Sequence, residues 1–150
     1  MSMILSLLLV GAVGAGLLIA FSFLLSRFTR EIFGRSLLAI SLLIAAGAYL
    51  GFVIVASAGS TWILVELGQV VAFGSMALLG LRGSRYWLVA GWALHPLWDI
   101  GVHYFGPGHS YAPFEYAVAC GSFDLVVAAY VAFAYGVAES RPLRAQNFQS

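Results

Sequence analysis

Charge is scarce in this chain: of 150 residues, 9% are Asp, Glu, Lys or Arg, while 62% are hydrophobic. Soluble domains carry about 25% charged residues, so the composition excludes an ordinary soluble domain and leaves no room for one beside a membrane domain. The single cysteine, Cys120, excludes an internal disulfide. It lies in an apolar stretch and reads as a small packing residue. Every basic residue is an arginine and none falls inside an apolar run. With no basic cluster on a soluble surface, nucleic acid is not an expected partner. The absence of an internal repeat gives no support to an inverted-repeat transporter, and no nucleophile elbow points to a serine hydrolase.

What the chain does have is long hydrophobic runs. A spanning helix needs roughly 20 mostly apolar residues. Five such segments are predicted, over about Met3–Ser26, Ser36–Ser57, Thr61–Leu81, Tyr86–Phe105 and Pro113–Val137. The expected fold is therefore an all-α polytopic membrane bundle of five transmembrane helices spanning 1–138, followed by a polar cytoplasmic tail, 139–150. Short connections make neighbouring helices antiparallel. Arg27, Arg30 and Arg35, then Arg82 and Arg85, then Arg141 and Arg144 fall on one side of such a bundle. The other side, with the Ala58-Gly59-Ser60 turn and the Gly106–Ala112 loop, has no basic residue. The positive-inside rule then makes the arginine side cytoplasmic and the N-terminus external, in a bacterial inner membrane. The first span has no basic segment before it and too long an apolar run for a cleaved signal, so it is expected to be retained. Its Gly11–Gly16 segment, and Gly47 with Gly51 in the second span, would allow close helix contact.

Against that background the ionisable residues within the spans stand out. In Trp92-Ala-Leu-His95-Pro-Leu-Trp98-Asp99-Ile-Gly-Val-His103, three polar residues recur every four positions and would form a stripe along a helix. With a rise of 1.5 Å per residue, His95 lies near the midplane, Asp99 roughly 6 Å and His103 roughly 12 Å further out. Glu66 and Gln69 of the third span and Asp124 of the fifth reach comparable depths. Around Asp124 the fifth span presents Ala117, Cys120, Gly121 and Ala128, which would let a helix or ligand approach. Glu115 follows Pro113 in a first helical turn and suits the helix dipole there. Pro96 removes a hydrogen bond to the Trp92 carbonyl, which predicts a kink and a freed acceptor beside His95. His109 is expected in an exposed loop, where it could help form a lid. Burying ionisable groups in hydrocarbon is costly, so the set is expected to be functional.

Three chemistries fit. A divalent metal (zinc, iron or manganese) suits imidazole and carboxylate ligands, with His95, Asp99, His103 and Asp124 as candidates. His103 lies two turns from His95, so one ion would take both only with distortion of the helix. Metal-free acid–base catalysis by His95, Asp99, Asp124 and Glu66 on a lipid-like or isoprenoid substrate is the second, with Trp92, Trp98, Gln69 and Cys120 lining the substrate site. The third is proton-linked or metal-ion transport, for which five helices would require a homo-oligomer. A non-catalytic membrane subunit remains open. Haem is disfavoured, because His95 and His103 share one helix and cannot flank one iron.

The segment Gly91–Tyr104, followed by Cys120-Gly-Ser-Phe-Asp124, resembles a family of small bacterial integral membrane proteins known as a domain of unknown function. Its members carry Gly-Trp-x-x-His-x-x-Trp-Asp-x-x-x-His and then Cys-x-x-x-Asp, matched here by Gly91, Trp92, His95, Trp98, Asp99, His103, Cys120 and Asp124. Many of them have a second histidine where this chain has Tyr104. The resemblance implies a multi-span membrane protein and supplies no activity. The expectation carried forward is a membrane-embedded isomerase, cyclase or hydrolase with a buried His/Asp site.

Overall fold

The computed structural model describes residues 2–139, and among these the chain is helical with no strand. Five α-helices follow one another: α1 (Met3–Phe28), α2 (Glu31–Val55), α3 (Ser60–Arg82), α4 (Tyr86–Trp98) and α5 (Phe114–Glu139). Four segments, Met3–Phe28, Glu31–Val55, Ser60–Arg82 and Phe114–Tyr135, are long and apolar enough to cross a membrane. The predicted fourth span is divided. After α4 the helix continues as a π-helical turn, Asp99–Tyr104, and a 3-10 turn at Pro107–Ser110 leads into α5. The tail from residue 140 onward, with Arg141 and Arg144, lies outside the described residues.

Local chemistry explains the boundaries. The Ser2 hydroxyl caps α1 by accepting from the Leu5 N–H at 3.3 Å. At its other end α1 stops at Thr29, whose hydroxyl turns back onto the Leu25 carbonyl. α2 starts at Glu31, five residues before the expected Ser36. The arginine-bearing stretch is not all loop: Glu31 suits the first turn of a helix and pairs with Arg35 one turn on, at 3.6 Å. α2 ends at Val55 rather than Ser57 because the backbone turns left-handed at Ser57 (φ 52°) and again at Gly59 (φ 99°).

Leu38, Leu42, Phe73, Leu88, Trp92, Val127 and Val131 form the main core between α2, α3, α4 and α5. Long apolar side chains such as Leu17, Phe21, Leu64, Leu97 and Phe133 are exposed, on faces that the described residues leave uncovered. At the end where Arg85 lies, its guanidinium approaches Glu31 at 3.8 Å and sits over the Tyr135 ring at 5.6 Å. The start of α2, the start of α4 and the end of α5 therefore meet there.

α1 is held to α5 through Gly11. A side chain at this position would run into the Ala119 carbonyl and the Ser122 hydroxyl, which itself donates to the Leu8 carbonyl at 3.0 Å. Gly47 and Gly51, by contrast, face open space, so the expected close contact at that pair is not made among the described residues. Gly11→Val is accordingly expected to cost about 1–3 kcal/mol through overpacking, while Gly47→Ala costs nothing measurable. Thermal unfolding in detergent micelles checks the contrast, and equal midpoints for the two variants would refute the α1–α5 seam.

Candidate functional site

His95, Asp99 and His103 all face the interior and are fully buried. In an α-helix a four-residue step overshoots one turn, so such a stripe drifts around the axis. From Asp99 onward the turn is wider, closed by i→i+5 bonds such as Phe105 N–H to the Ile100 carbonyl at 2.9 Å. The wider turn cancels the drift and keeps His103 pointing inward. Pro96 stands shortly before it, where its ring denies the α-helix one hydrogen bond.

The first centre lies between α4 and α5. His95 Nδ1 is 2.7 Å from Asp124 Oδ2 and 3.4 Å from Asp99 Oδ1. The Cys120 thiol, one turn before Asp124, points at Asp124 Oδ1 from 3.9 Å. One atom from each of His95, Asp99, Cys120 and Asp124 falls within 4.8 Å of the others. His95 Nε2 and both Asp99 oxygens have no hydrogen-bond partner among the described residues. Asp124 makes the closer approach to Nδ1, so Asp99, 3.4 Å from the same nitrogen, is buried with no partner in hydrogen-bond geometry among the described residues. The edge-on ring of Phe73, 4.8 Å from the imidazole centroid, closes one side.

The second centre is further along the stripe. His103 Nε2 lies 3.0 Å from Glu66 Oε1 of α3, and the Tyr111 hydroxyl donates to the same oxygen at 2.5 Å. Tyr111 belongs to the loop before α5, which folds down over His103. A Cβ at Gly108 would come within 2.7 Å of the His103 ring, so only glycine permits that approach. Burial, and then the Glu66 carboxylate, push the Tyr111 hydroxyl well above the ordinary phenol range, so it remains a donor. His109 stays exposed and bonds only to the Gly106 carbonyl; Tyr111, not His109, ties the loop down.

Tyr49 of α2 separates the two centres. Its ring stacks on His103 with centroids 3.6 Å apart and planes 6° from parallel, and it lies 6.2 Å from the His95 ring. Its hydroxyl neighbours Asp99 without reaching hydrogen-bond geometry. The polar residues expected from depth alone to share one chamber thus form two adjoining side-chain clusters. Glu66 does not join Asp99 and Asp124, and His103 does not join the four-atom cluster, because it sits further along the axis with Tyr49 between. Cys120 takes the place expected for His103. Tyr49 and Tyr111 have no counterpart among the expected site residues; the one signal for Tyr49 is a hydroxyl-bearing ring in an otherwise apolar span.

The remaining expected residues divide. Cys120 borders a groove of about 400 Å³ between α1, α2 and α5, whose walls include Val10, Leu18, Ile44, Ala45, Tyr116 and Phe123. Trp92 and Trp98 do not line it. Trp92 packs in the core against Phe123 at 5.8 Å, and Trp98 lies near His103. Gln69 donates to the Ala46 carbonyl at 2.6 Å and ties α3 to α2. Glu115 lies in the first turn of α5, in keeping with a helix-dipole role.

A helical bundle with lipid-compatible faces and a buried histidine–carboxylate centre is the class that fold and site define together. The chain belongs to DUF6010, a family of unknown function whose model matches residues 8–138, a span that includes both centres. No curated protein and no solved structure matches it.

Proposed function

We propose that the protein is a membrane-embedded enzyme acting on a lipid-like or isoprenoid substrate, an isomerase, cyclase or hydrolase in reaction type. The observation that carries this reading is the groove. It is apolar along its length, open on the side of α1, α2 and α5, and bordered by Cys120, whose sulfur lies against the carboxylate that holds His95. An acyl or prenyl chain suits such walls, and Cys120 is the point at which its reactive end would approach the buried acid–base groups behind it.

In this proposal His95 carries the proton and Asp124 orients its imidazole through Nδ1. Asp99, unpaired and buried, is the second acid–base group or a metal ligand. Glu66 and His103 support the site by fixing the loop above it. The α4 helix and its π-helical extension form a fifth span, which sets the N-terminus outside and the C-terminus in the cytoplasm of a bacterial inner membrane. Both centres then lie in the outer half. Proton-linked or metal-ion transport is the weaker reading. Leu38, Leu42, Phe73, Leu88, Trp92 and Val131 fill the half of the bundle toward the arginines, and this apolar packing favours a closed site over a path through the membrane.

The test is lipid occupancy. Protein purified in mild detergent is expected to retain an isoprenoid or acyl lipid in native mass spectrometry. Ala119→Trp, which fills the groove, is expected to lower that occupancy on the order of tenfold, equivalent to about 1.4 kcal/mol of lost contact. Unchanged occupancy in a folded variant, or no lipid on the wild type, would sink the lipid-substrate reading.

A further inference from the structure

We infer that His95, Asp99, Cys120 and Asp124 form a mononuclear site for a divalent transition metal of zinc-like preference, with the Cys120 thiolate as a ligand. The inference names a cofactor for the centre proposed above, but it stands on the geometry of the four side chains alone. Metal–ligand bonds of about 2.0 Å to nitrogen or oxygen and 2.3 Å to sulfur, set tetrahedrally, place the ligand atoms of a one-sulfur site about 3.3–3.5 Å apart, a few tenths of an ångström inside the longer of the two separations that follow. His95 Nδ1 to Asp99 Oδ1 is 3.4 Å, and Cys120 Sγ to Asp124 Oδ1 is 3.9 Å. The closer approach, Nδ1 to Asp124 Oδ2 at 2.7 Å, is a hydrogen bond; it gives way if Asp124 ligates through Oδ1, the oxygen that already faces sulfur.

A second observation points to the ion independently of the spacing. Asp99 is fully buried, its oxygens lack any partner among the described residues, and Oδ1 is turned toward the imidazole. A carboxylate left so in hydrocarbon is costly, and a cation at the centre of the cluster satisfies it. The donor set decides the class. One sulfur, one imidazole nitrogen and two carboxylate oxygens suit zinc or ferrous iron, and the thiolate disfavours magnesium and calcium, which take oxygen ligands. Binding deprotonates the Cys120 thiol and releases that proton, with any other proton the ligands hold, to solvent.

Cobalt(II) is the probe, added to the full chain in detergent micelles. The wild type is expected to take up one equivalent, show the visible bands of tetrahedral cobalt, and show a near-ultraviolet thiolate-to-cobalt charge-transfer band. Zinc added in excess should abolish all three. Cys120→Ser should lose the charge-transfer band and keep the visible ones, and Asp99→Asn should weaken binding by no less than the roughly 10–100-fold typical of changes merely adjacent to a metal site. A folded wild type that takes up no cobalt, or takes it up without a thiolate band, overturns the inference without recourse to any variant. Metal-free protein that still converts lipid removes the metal and leaves the acid–base enzyme standing; a loaded protein that converts none removes the enzyme and leaves the metal site.

Discussion

Asp124→Asn is expected to slow lipid conversion by about 10²–10⁴-fold, the usual worth of a positioned acid–base group. The amide that replaces the carboxylate can still hydrogen-bond His95, so the ring is held, but it no longer supplies the negative charge that fixes the Nδ1 proton at 2.7 Å. Asp99→Asn is expected to lower conversion to the same order while leaving the thermal stability of the metal-free protein equal to that of the metal-free wild type or higher. The reason is energetic. Asp124 is paired, and taking away one partner of a buried pair destabilises by about 3–5 kcal/mol. Asp99 has only the longer 3.4 Å approach to His95 and no hydrogen bond to lose, and the amide nitrogen brings a donor the carboxylate lacks. A cluster kept only for packing would respond the other way, losing stability at both positions. The measurement is product formation from a lipid extract, followed by mass spectrometry, beside melting curves of the same preparations. Two folded variants as active as the wild type would end the catalytic proposal.

Glu66→Ala is expected to lower stability by about 1–3 kcal/mol, because it takes away the acceptor shared by His103 Nε2 and the Tyr111 hydroxyl and leaves them only each other, 3.3 Å apart. Tyr111→Phe removes the bond to the carboxylate together with the longer contact to His103 Nε2, and is expected to cost about 1.5–3 kcal/mol. Because the two share one oxygen, the double variant should fall short of the sum by about 0.5–3 kcal/mol. The loss should also be local. Hydrogen exchange is expected to speed up at residues 107–112, whose other ties are their own turn bonds and the packing of Tyr111 and Ala112 on Tyr49, Val53 and Trp62. Unaltered protection of that loop in Glu66→Ala would show that the carboxylate does not latch it.

Much of the candidate site is readable from the chain because membrane burial makes polar residues conspicuous. His95, Asp99 and Asp124 need only four-residue spacing and a comparison of depths. What spacing does not supply is azimuth beyond the first turn or the identity of the intervening groups. The π-helical turn at Asp99–Tyr104 decides where His103 points, and it depends on Pro96 and on the packing of the loop, neither of which has a periodic signature. Tyr49 is hidden for a different reason. In an apolar span a tyrosine reads as bulk, and only coordinates place its ring flat against His103. The start of α2 departs from its expected position for a related reason: charged residues beside an apolar run look like a loop, yet Glu31 and Arg35 pair across one helical turn. Cys120 is legible as a small neighbour of Asp124, but its sulfur's orientation toward Oδ1 is a rotamer, which sequence does not encode at that level of detail.

The sideways opening of the α1–α2–α5 groove bears on how the protein would be assayed. In the proposed enzyme, a mouth that faces hydrocarbon would sample reactants dissolved in the bilayer, so the governing variable would be their mole fraction in the lipid and not their solubility in buffer. Diluting the substrate with inert phospholipid at fixed bulk concentration should therefore slow the reaction, whereas diluting the vesicles with buffer should leave the rate per protein molecule unchanged.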